Sequence, residues 1–183
     1  LTMPLVCENS PNSKPLINRA FNGVFTPGSV VKPYVALAAL QEGAITTSTR
    51  ILGNSVYTRF ASSNFTPKSI GNYGMITLNT AIKKSSNSFF YEVGYRLGIT
   101  DLNLYAKHFG LGVKTGLELT ESAGTLAGPA EKEAAGGSWW DGNTVEAAVG
   151  QDDNKFTPLQ LAAYVATVAN NGVRLKTHIV DKV

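Results

Sequence analysis

The sequence predicts a mainly helical chain with little sheet. Four segments, at residues 29–43, 87–98, 100–110 and 157–172, place apolar residues at helical spacing between recognisable start and stop signals. The connecting stretches 44–77, rich in Ser, Asn, Gly and Thr, and 110–151, rich in Gly, carry few signals of regular structure. The two best strand candidates sit at the ends of the chain.

Taken in order, residues 1–6 (LTMPLV) suit the end of a strand that Pro4 confines to a sheet edge. Residues 7–28 read as a loop with a short helical stretch at 16–21. The next helix opens at Ser29 and stops near Gly43. From Val30 to Leu40 it is apolar almost all round, apart from Lys32 and the hydroxyl of Tyr34, which is the pattern of a buried helix. Residues 44–77 read as extended loop. In Asn87–Gly98, Phe89, Phe90, Val93 and Leu97 share one face, and Gly98 is the stop. In Thr100–Gly110, Leu102, Tyr105, Ala106 and Phe109 fall at helical spacing. The last helix carries the fullest set of signals: Thr157 as cap, Pro158 at the first position, Gln160 completing a capping box and Asn171-Gly172 as the end. The tail from Thr177 to Val183 suits a short strand.

Composition narrows the function. With 183 residues, 43% hydrophobic and 16% charged, the chain has the make-up of one globular domain with a substantial core. The net charge of +3 is spread along the chain, with Lys83-Lys84 the one adjacent basic pair, which argues against nucleic acid as a partner. No run approaches the ~18 apolar residues of a membrane span, and no signal peptide is visible. Cys7 is the sole cysteine, so neither an internal disulfide nor a multi-cysteine metal site is expected. His108 and His178 are too far apart in sequence for ligand-like spacing, so no metal and no cofactor is expected.

A buried helix carrying a lysine in its first turn calls for an explanation. Ser29 and Lys32 stand three apart in Ser-Val-Val-Lys, on one face of a helix. A serine hydroxyl becomes a nucleophile only when a base takes its proton, and an amine does this only when neutral. Burial lowers a lysine pKa toward that state. The helix N-terminus adds backbone N–H groups that favour a developing oxyanion. Pro33 is tolerated because first-turn N–H groups have no partner within the helix. An ordinary structural account also fits, with Ser29 as N-cap and Lys32 snorkelling to solvent. A second polar cluster, Ser85-Ser86-Asn87-Ser88, stands directly before the Phe89 helix. Asn87 or Ser88 can serve there as a cap. Alternatively, Ser85 and Asn87 face a cleft, Ser85 relaying protons to a leaving group and Asn87 holding Lys32 and the substrate backbone.

Thr-Pro-Gly-Ser-Val-Val-Lys-Pro followed by Ser-Ser-Asn resembles the transpeptidase domain of class B penicillin-binding proteins, for which the motif set is S-x-x-K, S-D-N and K-T-G. The likeness runs through PLINRAFNGVFTPGSVVKPYVALAAL, SSNSFFYEVGYRLG, FGLGVKTGLEL, SWWDGNTVEAAVGQ and TPLQLAAYVATVANNGV, in the family's order. The resemblance implies an α/β fold of the α+β type, an antiparallel sheet flanked by helices. It also implies a membrane-anchored enzyme on the extracytoplasmic face of the cell membrane that cross-links peptidoglycan. Ser29 would attack the D-Ala-D-Ala bond of a donor stem peptide, with Lys32 as general base and Ser85 and Asn87 assisting. The acyl group would pass to an acceptor amine of a neighbouring strand. β-Lactam antibiotics would acylate the same serine, and cell-wall synthesis proteins are the expected partners. A β-lactam-hydrolysing or β-lactam-sensing serine protein of the same superfamily is the alternative.

One further triplet, Lys114-Thr115-Gly116, matches the third motif by letter. Its flanks read as a helix exit and a Gly-rich turn, whereas the family's active-site triad lies on a strand and comes after the Thr-Pro-Leu-Gln-Leu-Ala segment. No K-T-G or K-S-G follows Thr157. Lys114 is therefore not expected in the site. By this comparison residues 1–183 are expected to be a partial domain, mainly its helical part with an incomplete sheet, and weakly active or inactive in isolation.

Overall fold

Helices form at all four segments with helical spacing. The structure, a computed structural model, describes residues 17–180, so the strand expected at 1–6 lies outside the described residues. The short helical stretch expected at 16–21 is, in its described part, a single turn closed by Asn22 N–H donating to the Asn18 carbonyl. A 3-10 helix, Gly28–Val31, runs directly into helix α1, Lys32–Gln41. Ser29 thus sits in the tighter entry turn and Lys32 opens the α-helix proper.

Residues 44–77 are mostly loop, but they hold a small sheet that the sequence did not announce. Strand β1, Ile51–Leu52, pairs antiparallel with β2, Met75–Ile76, with Ile51 opposite Ile76 and Leu52 opposite Met75. Two residues per strand are too few to show alternation. Three short helices were also missed: α2 (Leu78–Lys84), α4 (Pro129–Ala134) and α5 (Asp141–Ala147). At two turns or fewer, none shows a full apolar repeat, and tertiary packing supplies most of their stability. The described part of the expected C-terminal strand, 177–180, forms none; Ile179 N–H donates instead to Glu118.

Helix α3, Asn87–His108, contains both helices expected at 87–98 and 100–110. They are joined across Gly98, whose φ of 79° and ψ of 161° are closed to residues with a Cβ. The chain therefore bends at Gly98 and continues without a connecting loop. Phe89, Phe90 and Val93 are fully buried, and Leu102 and Ala106 beyond the bend nearly so. They pack against Val31 of the 3-10 helix and Val35 and Ala39 of α1 in one continuous core. Burying a Phe, Leu or Val side chain contributes roughly 1.5–3 kcal/mol. The last helix, α6 (Pro158–Ala169), forms with its capping box intact, Thr157 accepting from Gln160 N–H and Gln160 accepting from Thr157 N–H. Tyr164 brings α6 into the core, stacked edge-on against Tyr34 at 6.0 Å and Phe109 at 5.5 Å. The chain is thus helix-rich with a small antiparallel sheet.

Candidate active site

Ser29 is exposed at the surface, although the turn that carries it is fixed on several sides. Phe25 and Phe156 exchange backbone hydrogen bonds of 2.9 and 3.0 Å, and Gly28 N–H donates to the Gly150 carbonyl at 2.9 Å. Gly28 and Gly150 meet so closely that a Cβ on Gly150 would lie 2.2 Å from the Gly28 carbonyl oxygen. Only glycine permits that approach. From the other side, the Tyr164 hydroxyl accepts from Tyr34 N–H at 3.1 Å and donates to the Val30 carbonyl at 3.2 Å. Tyr34 N–H is one of the first-turn donors that have no partner within the helix, and α6 supplies the missing acceptor.

Lys32 does not snorkel. It is 3% exposed, with its ammonium 5.5 Å from the centroid of the Phe90 ring. Nζ donates to the Ser85 carbonyl at 2.8 Å, to Ser85 Oγ at 3.0 Å and to Asn87 Oδ1 at 2.6 Å. All three partners are neutral oxygens. Among the described residues no carboxylate pairs with it. Burial, uncompensated by an anion, lowers its pKa from 10.5 to about 8.

The polar cluster lies in the turn between α2 and α3. Ser85 ends α2 in the left-handed region, at φ 51°, an uncommon state for a residue with a Cβ. That conformation turns both its carbonyl and its hydroxyl toward Lys32. Ser86, and neither Asn87 nor Ser88, is the cap of α3, its hydroxyl accepting from Phe89 N–H. This corrects the capping account from sequence and frees Asn87 for Lys32. Ser88 Oγ donates to the Asn54 carbonyl.

The four candidates are brought together in an order that the sequence did not indicate. Ser85 Oγ donates to Ser29 Oγ at 3.0 Å, while Lys32 reaches Ser85 and Asn87. Among the described residues there is no direct hydrogen bond from Lys32 to Ser29. Spacing on one helix puts the two side chains on a common face, but carbonyl and amide oxygens from the facing turn are better acceptors than a hydroxyl and draw the amine. The chain of contacts thus runs Ser29–Ser85–Lys32, able to carry a proton toward the amine when it is neutral and back when it is protonated.

Lys114-Thr115-Gly116 lies in irregular chain and not on a strand. Thr115 Oγ1 and Gly116 N–H both donate to Glu121 at 2.8 Å, and the Gln160 amide donates to the Val113 carbonyl at 2.8 Å. Gly150 and Tyr164 were missed as supports of the turn that carries Ser29. Nothing local marks either one, since each acts through contact with a segment more than 100 residues away.

The family model described as the penicillin binding protein transpeptidase domain matches residues 5–183. The peptidoglycan D,D-transpeptidase MrdA of Salmonella typhimurium is 33% identical over 168 residues, 90% of this chain and 27% of the relative. The chain thus spans about a quarter of the length of that curated relative. Among solved structures, PBP2 of Pseudomonas aeruginosa in complex with WCK 5153 superposes with a TM-score of 0.85 at 32% identity, covering 92% of this chain and 39% of that one. PBP2 of Helicobacter pylori in its complex with MreC superposes at 0.82 with 31% identity, covering 90% of this chain and 31% of that one.

Proposed function

This chain belongs to the penicillin-binding protein transpeptidase domain family, and on that premise we propose that the protein carrying it is a serine D,D-transpeptidase. It cross-links peptidoglycan stem peptides through an acyl-enzyme on Ser29 and is acylated by β-lactams at the same residue. The observation that carries this reading is the unbroken path Ser29 Oγ–Ser85 Oγ–Lys32 Nζ, with 3.0 Å at each step. In the first half-reaction Ser29 Oγ bonds to the carbonyl carbon of the penultimate D-Ala. Its proton passes to Ser85, whose own proton passes to neutral Lys32. The C–N bond to the terminal D-Ala then breaks, and the leaving amine takes a proton back along the same path. In the second half-reaction an acceptor amine attacks the ester carbonyl and gives its proton to Ser85 and neutral Lys32; the C–O bond to Ser29 then breaks and Ser29 Oγ takes a proton back from Ser85. Asn87 holds the amine of Lys32 in line. The backbone N–H of Ser29, at the helix N-terminus, is one donor for the oxyanion. The protein is further proposed to act on the extracytoplasmic face of the cell membrane, anchored outside this segment, beside cell-wall synthesis proteins of the kind that MreC represents for the H. pylori relative. Within the described residues no helix is long and apolar enough to cross a membrane.

The test is acylation by a fluorescent penicillin. In the intact protein, Ser29→Ala should abolish labelling, while Lys32→Ala and Ser85→Ala should slow it by about 10²–10⁴, the range for loss of a positioned proton-transfer group. Lys114→Ala should leave the rate unchanged. Equal losses for Lys114→Ala and Lys32→Ala would reverse the assignment of the base. Among the described residues no strand carries a Lys-Thr-Gly triad. Residues 1–183 alone are accordingly expected to label weakly or not at all, and stoichiometric labelling of that fragment would contradict this. Rapid nitrocefin turnover by the intact protein would favour the β-lactam-hydrolysing alternative.

A further inference from the structure

A cavity of about 540 Å³ lies between the β1 region and the N-terminal half of α3. Three arginines, Arg50, Arg59 and Arg96, line it, with Glu92 as the one acidic lining residue. Glu92 is buried and fully engaged. Arg59 grips it with Nε at 3.0 Å and Nη2 at 2.8 Å, Arg96 Nε donates at 3.0 Å and the Tyr57 hydroxyl at 2.9 Å. Burial pushes the Glu92 carboxyl up, but the hydrogen bonds from Arg59, Arg96 and Tyr57 outweigh it and hold the group ionised, below its ordinary value. One carboxylate therefore answers three guanidiniums, and two positive charges on the cavity wall remain unmatched.

The arginines are also held in place. Arg59 stacks over the Tyr95 ring at 4.2 Å, Arg96 is tied to Glu92 along the helix, and Arg50 Nη2 donates to the Met75 carbonyl at 3.1 Å. A network whose sole purpose was to bury Glu92 needs one such partner. Arg50 takes no part in it. Among the described residues it has no ion pair, yet it faces the same cavity. The rest of the lining includes Leu52, Val56 and Met75, which are 49%, 38% and 50% exposed. Guanidinium groups converging on a concave, partly apolar surface are matched by oxyanions, which they bind in bidentate fashion.

We propose that this cavity binds an anionic ligand, a carboxylate or phosphate borne on an aliphatic stem. The oxyanion sits between Arg50 and Arg96, and the stem lies on Leu52, Val56 and Met75. The Asn54 carbonyl, in the same wall, accepts the hydrogen bond from Ser88, so the cavity borders the turn that carries Ser85 and Asn87. The proposal does not depend on the transpeptidase reading.

The test titrates the intact, isotope-labelled protein with inorganic phosphate, glutarate and hexyl phosphate at constant ionic strength, following arginine Nε–H signals. Saturable binding is expected, weakened at least tenfold in Arg50→Gln and in Arg96→Gln and unchanged in Ser29→Ala. Hexyl phosphate should bind more tightly than inorganic phosphate because its chain covers the apolar lining; equal affinity would remove that part of the proposal. Preference for phosphate or for glutarate identifies which oxyanion the site takes. Arg50→Gln removes no ion pair, so it remains usable should the Arg96 variant lose stability. No saturation by any probe on the order of 10 mM, a concentration that corresponds to very weak binding, or an affinity in both arginine variants equal to that of the unaltered protein, would overturn the assignment.

Discussion

Lys32 combines burial with three neutral oxygen partners, and the consequence is a pH dependence of defined sign. Its folded pKa of about 8 lies below the 10.5 of an exposed lysine, so the folded state resists protonation. The penalty for the buried charge is fully present below about pH 8 and fades as pH rises toward 10.5, where the unfolded chain also loses its proton. Activity follows the same group: acylation of Ser29 should rise about tenfold per pH unit below the midpoint and level off above about pH 8. Rate constants with a fluorescent penicillin from pH 6 to 9.5 check this. Ser85→Ala leaves the burial of Lys32 in place, so its plateau should fall while the midpoint stays near 8. A plateau within about threefold of the unaltered protein would instead mean that Lys32 takes the proton from Ser29 without Ser85, since loss of a true relay is larger.

Among the elements, α3 and α6 carry the clearest local logic. Gly98 bends α3 in a conformation that residues with a Cβ avoid, so Gly98→Ala should destabilise the fold by about 1–3 kcal/mol, read from denaturant unfolding. An unchanged midpoint would mean that the bend relaxes into a straight helix. At the start of α6, Thr157→Ala should cost about 1 kcal/mol through its cap. Gln160→Leu should cost more than Thr157→Ala. The fully buried Gln160 also donates to the Val113 and Ala123 carbonyls at 2.8 and 2.7 Å, and those acceptors would be left without their partner. Equal losses for the two variants would show that the cap alone matters. α6 was legible in advance because its signals are local, a cap and a repeat sustained over three turns; α3 was legible as two helices from their repeats, but not its cap Ser86 nor its continuation through Gly98. The missed helices α2, α4 and α5 are too short to carry a repeat, and the sheet has strands of two residues.

At the scale of the molecule, Ser29 is placed by segments remote from it in sequence. Gly150 backs Gly28, and Tyr164 closes the first turn of α1. A methyl group at Gly150 would push on the turn carrying Ser29. Gly150→Ala should therefore slow acylation by about 10², the penalty for displacing a reacting group by around an ångström, and thermal melting should show whether the fold survives. Retention of the full acylation rate would show that the contact only supports stability. Ser29, Lys32, Ser85 and Asn87 were legible as candidates because nucleophile and base recur at fixed short spacings, and the mainly helical character because apolar periodicity is written along the chain. Their order was not legible: spacing on one helix suggests a direct contact between Ser29 and Lys32, whereas the turn after α2 inserts Ser85 between them. Nor did any local pattern mark Gly150, Tyr164 or the arginine cavity. The sequence by itself determined which residue types stand near one another along a helix or a turn, since bond geometry and helical pitch set those distances. Only the tertiary structure decided which oxygen faces the buried amine and which charges share a cavity, because those contacts join segments separated by tens of residues and depend on how the helices pack.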